Sequence, residues 1–175
     1  MILRIFLNLL AIFFLALIQI SFLPTWPLPV RLLNLVLSVV IFLVVIVDYK
    51  KGLILAFGGG LFLDLFSFAS FGLKTLTLIA TAVAVNLLFN NFFTNRSIYS
   101  LVILAGFGSG FYTILNLAGN FLLRFFDLGS AVHFDAVYWS NFSWQLFFNV
   151  LIIAVIFFIF HFSTGRLKAN FILRH

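Results

Sequence analysis

The residues able to do chemistry are few. The acids are Asp48, Asp64, Asp127 and Asp135, and the chain has no glutamate and no cysteine. Asp64 stands out because it sits in the otherwise apolar run Gly58-Gly59-Gly60-Leu61-Phe62-Leu63-Asp64-Leu65-Phe66-Ser67. If that run lies in a bilayer, the carboxylate must face the protein interior or water, since lipid neither solvates it nor offers a partner. Two roles are open to it. It is a proton, cation or ligand site, or it is a structural anchor that bonds the adjoining turn or forms a buried ion pair with Lys74.

Other chemistry has little material. His133 and Asp135 are metal-ligand types, but with no further spaced ligand they point to a solvated loop and no metal is expected. No Gly-rich loop leads into a Lys-Ser pair, and neither His-Glu-x-x-His nor Gly-x-Ser-x-Gly occurs. The expectation is a protein that is not an enzyme and carries no cofactor. Without cysteine, disulfides and thiolate sites are excluded.

The elements that must position these residues follow from composition. The chain is 65% hydrophobic and 8% charged, against about 25% charged in soluble domains. Its apolar runs are continuous rather than alternating, which excludes a transmembrane β-barrel and leaves an all-α polytopic membrane protein. Ten basic residues give a net charge of +6, but they are scattered between the apolar runs, so no nucleic-acid patch is expected.

Six spans are predicted, at about 5–23, 32–47, 52–68, 73–93, 98–125 and 142–162, within one integral membrane domain, 1–175. The first is a permanent span, because it is long for a signal-peptide core and no small-residue cleavage site follows it. Pro24, Pro27 and Pro29 end it, and Trp26 suits the headgroup level. Asp127 to Asn141 reads as an interfacial loop, and a short basic tail ends the chain. With both termini cytoplasmic, the inner segments hold Arg4, Lys50, Lys51, Arg96, Arg166, Lys168 and Arg174, against Arg31, Lys74 and Arg124 outside, as the positive-inside rule requires. Counted from Gly52, Asp64 then lies roughly 18 Å into the membrane, toward the outer surface, where Lys74 enters the next span.

Small and polar residues mark the expected helix contacts. Ala56, Gly60 and Asp64 share a helical face, with Gly59 beside them, and would admit a neighbouring backbone. Gly106-x-x-x-Gly110 in the fifth span has the same spacing, as partner contact or internal packing. Ser109, Thr113, Asn116 and Asn120 form a polar stripe, either a pocket lining or packing inside the bundle. Thr77 with Thr81 and Asn86 with Asn90 suit hydrogen bonds across helices.

These residues carry a resemblance. Gln19-x-Ser21 with Pro24, then Gly52, then Gly59-Gly60-Leu61-x-x-Asp64-x-x-Ser67 followed by Gly72-Leu73, resembles the bacterial rod shape-determining protein MreD family. The family motif positions are therefore Gln19, Ser21, Pro24, Gly60, Asp64 and Gly72. The resemblance implies a non-enzymatic subunit of the cell-elongation machinery in the bacterial cytoplasmic membrane. It would bind an MreC-like bitopic protein and, indirectly, the MreB filament and the peptidoglycan synthases.

The resemblance also implies a six-helix bundle similar to the S component of energy-coupling-factor vitamin transporters, which supplies the alternative function. In that alternative Asp64, Lys74, Asn116 and Asn120 contact a vitamin-like molecule, and the outer loop is a lid.

Overall fold

The computed structural model of the chain describes residues 2–66, 72–93, 97–125 and 136–172, with side chains over the part of these between 9 and 162. Among them every regular element is helical. The α-helices are α1 (Ile2–Leu17), α2 (Leu35–Phe42), α3 (Tyr49–Leu65), α4 (Leu73–Phe92), α5 (Ile98–Arg124) and α6 (Ala136–Ile172). π-Helical turns extend α1 over Ile18–Phe22 and α2 over Leu43–Val47, and 3-10 turns cover Leu23–Thr25 and Val30–Leu32.

Helix α2 is the centre of the bundle. Apart from Ser38, whose hydroxyl donates to the Asn34 carbonyl, its residues are apolar on every side, and a helix of that kind has to be surrounded by other helices. Val36, Leu37, Val40 and Ile41 are completely buried, and α2 touches α3, α4, α5 and α6. The remaining helices wrap it in chain order, α3 on α4, α4 on α5 and α5 on α6, with α1 against α3.

Among the described residues three helices are long and apolar enough to cross a membrane: Leu73–Phe92, Ile98–Arg124 and Ala136–Phe162. The second expected span is shorter than anticipated. It has eight α-helical and five π-helical residues, short of the roughly 20 that cross a hydrocarbon core. Its apolar character reflects burial in protein, which hydropathy does not distinguish from burial in lipid.

Several boundaries move. Helix α6 begins at Ala136, so Ala136 to Asn141, expected as loop, form its first turns, and its backbone stays helical to Ile172 instead of giving way to a tail. Asp48 is the N-cap of α3, its carboxylate accepting from the Lys50 N–H at 3.4 Å. Pro24 does not stop the first helix, because a 3-10 turn, which tolerates proline in its first positions, carries the chain to Thr25. Ser67, Arg96, Asp127, His133 and Asp135 lie outside the described residues.

Candidate functional site

The polar side chains converge at one end of the bundle, where α1 and α3 finish and α2 and α4 begin. Helix starts are the electrostatic problem there. The first N–H groups of a helix have no intrahelical acceptor, and lipid and apolar side chains supply none.

At α4 the solution is Asp64. Gly72 is the N-cap residue, with φ +93°, and has no side chain to cap with. Asp64, 2% exposed at the end of α3, reaches across instead. Its Oδ1 accepts from the Lys74 N–H at 3.0 Å, and its Oδ2 from the Thr75 N–H at 2.9 Å and the Thr75 hydroxyl at 2.5 Å. A carboxylate at this place also meets the positive end of the helix dipole. Lys74 thus engages Asp64 through its main chain, and the residue also lines a neighbouring cavity.

The face expected around Asp64 exists and is tight. Ala56 is fully buried, and Gly59 and Gly60 are buried with it. A Cβ on Gly60 would stand 2.6 Å from the Thr75 Cα, and one on Gly59 would stand 2.8 Å from a Val36 methyl. Gly60 therefore sets the approach of α3 to α4 that lets Asp64 reach the α4 start.

The start of α2 is closed by amides. Asn34 is its N-cap, its Oδ1 accepting from the Leu37 N–H at 3.1 Å. Gln19, on the π-helical turn after α1, accepts from the Val36 N–H at 2.7 Å and donates to Asn34 Oδ1 at 3.0 Å. Asn149 of α6, fully buried, accepts from the Asn34 N–H at 2.9 Å and donates to Ser109 Oγ of α5 at 3.2 Å. Beside them Asn116 donates to Thr77 Oγ1 at 3.3 Å and joins α5 to α4.

Not every expected residue joins this junction. Ser21 and Pro24 are exposed. Asn120 donates to the Asn116 carbonyl on its own helix. Gly106 and Gly110 have nothing within 4 Å of an added Cβ, whereas Gly108 meets Ile41 at 2.8 Å and Gly119 meets Leu73, so the internal glycine contacts of α5 lie outside the expected motif. Among the described residues no three His, Cys, Asp or Glu come together as a metal site.

Asn34, Tyr112, Gln145 and Asn149 were missed by the sequence reading. A lone amide in the apolar run Phe147-Phe148-Asn149-Val150 was the available signal, since such a residue in a span needs a partner.

Between the capped helix starts lies a cavity of about 360 Å³. Gln19, Asn34, Lys74, Tyr112, Asn116 and Gln145 contribute to its wall. Of the four ligand contacts expected in the alternative, Lys74 and Asn116 are among its lining residues and Asp64 and Asn120 are not.

No family model matches the chain, and no curated protein or solved structure is significantly similar to it.

Proposed function

We propose that the chain is an MreD-like membrane subunit of the bacterial elongation machinery, acting by binding a single-span partner of the MreC kind. One observation carries the reading. The Gly106-x-x-x-Gly110 edge of α5 is left open by the bundle itself, flanked by the exposed Ile103, Phe107 and Ile114. Small residues at four-residue spacing allow a second helix to approach closely, which is the main source of affinity between helices in lipid.

The junction adds support of a different kind. Four of the six positions behind the resemblance, Gln19, Gly60, Asp64 and Gly72, gather at the starts of α2 and α4, where Gln19 and Asp64 accept from helix N–H groups. The three hydrogen bonds on Asp64 favour its structural role over a proton or cation site. In this reading six helical segments are embedded in the cytoplasmic membrane, both termini are cytoplasmic and the capped end faces outward. Its partners reach the MreB filament and the peptidoglycan synthases indirectly.

The test is purification of the tagged full chain from its native membrane in a mild detergent, followed by mass spectrometry. A bitopic partner and cell-wall synthases are expected with the wild type and lost with Gly110→Leu. Recovery of a transmembrane subunit linked to an ATPase, or identical partners for both chains, rejects the reading; the former outcome favours a transporter S component.

A further inference from the structure

The wall of the cavity divides into two kinds of polar group. Most are already satisfied by the protein. Gln19 is bonded to Asn34 and Val36, Asn116 to Thr77 and the Tyr112 carbonyl, and the Thr113 hydroxyl donates to the Ser109 carbonyl. Two are not. Among the described residues neither the Lys74 ammonium nor the Gln145 amide has a hydrogen-bond partner, and both line the cavity.

Lys74 sits where an anion would be favourable. It is half-buried in the first turn of α4, the end where a helix dipole repels cations. An ammonium withdrawn from water without a hydrogen-bond acceptor is costly in a membrane protein. The three hydrogen bonds on the Asp64 carboxylate come from the Lys74 main chain and from Thr75, none of them from the ammonium. An external anion beside Lys74 would relieve both penalties. Gln145, which lines the cavity from α6, would then supply an amide N–H to the same group or to its neighbour.

We infer that this cavity binds the carboxylate or phosphate of a small polar molecule, with Lys74 as the charged contact and Gln145 as the hydrogen-bonding one. The volume of about 360 Å³ lies at the small end of the roughly 300–1,000 Å³ typical of ligand sites. The shared chemistry is an anionic oxygen group, whether on a free solute or on a lipid headgroup. The inference does not depend on the partner-binding reading, since the cavity and the open edge of α5 involve different residues.

The test measures labelling of Lys74 in the purified full chain by an amine-reactive reagent, read by peptide mass spectrometry, with Lys50 and Lys51 as internal references. One arm adds glycerol 3-phosphate in neutral detergent; the other compares nanodiscs of phosphatidylglycerol with nanodiscs of phosphatidylcholine. Saturable protection of Lys74 by glycerol 3-phosphate supports a site for a free solute, and protection in phosphatidylglycerol alone supports a headgroup site. Gln145→Leu should raise the half-protecting concentration about tenfold, the loss of one charge-assisted hydrogen bond. Lys74 labelling that neither probe changes at tens of millimolar, or protection that Gln145→Leu leaves unaltered, overturns the inference.

Discussion

Asp64 and Thr75 are joined twice, the carboxylate Oδ2 accepting both the main-chain N–H at 2.9 Å and the side-chain hydroxyl at 2.5 Å. With the Lys74 N–H on Oδ1, the last turn of α3 becomes the cap of α4.

Substitution at Asp64 should therefore follow the number of acceptors retained. Asp64→Asn keeps an oxygen for Thr75 and turns an NH2 toward the Lys74 N–H, at a cost of about 1–3 kcal/mol. Asp64→Ala abandons all three donors and should be clearly worse. Thermal unfolding of the purified variants in detergent checks the order, and equal melting temperatures for the two would refute it.

Gly60 and Gly110 should separate fold from assembly. A Cβ at Gly60 meets the Thr75 backbone, which has no flexible end to move aside. Gly60→Ala is expected to cost about 1–3 kcal/mol through overpacking, and Gly60→Leu more. Gly110→Leu has open space, so its melting temperature should match the wild type while partner recovery falls.

The amide relay through Asn149 makes a third case. Asn149→Leu leaves the buried Asn34 N–H without its acceptor, a loss of about 1–3 kcal/mol. Once that change is made, Ser109→Ala should add little, because their mutual bond is already gone. A double-mutant cycle in the detergent-solubilised protein measures this, and strict additivity would contradict the relay.

Gly72 tests backbone conformation free of packing. Its φ of +93° lies in the left-handed region and no atom stands within 4 Å of an added Cβ. Gly72→Ala should cost about 1–2 kcal/mol from conformation alone, and Gly72→Asn less. Comparable chemical-denaturation midpoints for all three chains would argue against the assigned backbone.

What was legible in the sequence was local. The acid in an apolar run, the Ala56-Gly60-Asp64 face and the apolar helices need neither long-range contact nor geometry to be noticed. The partner of Asp64 was read less well, because the sequence displays the Lys74 side chain and hides the two N–H groups that α4 leaves exposed. Burial in protein and burial in lipid select the same residues, so the apolar run of α2 was read as a span. Gly106 and Gly110 have the spacing of a helix contact, but the direction in which α5 presents them depends on its rotation in the bundle. Asn34 and Asn149 are separated by 115 positions, a pairing that no local pattern announces.

That last separation bears on how the protein is made. The opening N–H groups of α2 draw on Gln19, which is synthesised before them, and on Asn149, which comes near the end of translation. A nascent chain that has completed α1 to α5 still holds an unanswered donor at the start of its most buried helix. Completion of the core therefore waits for α6. Chains truncated before Asn149 should persist as incompletely closed bundles, more open to degradation by membrane proteases than their apolar content alone would suggest.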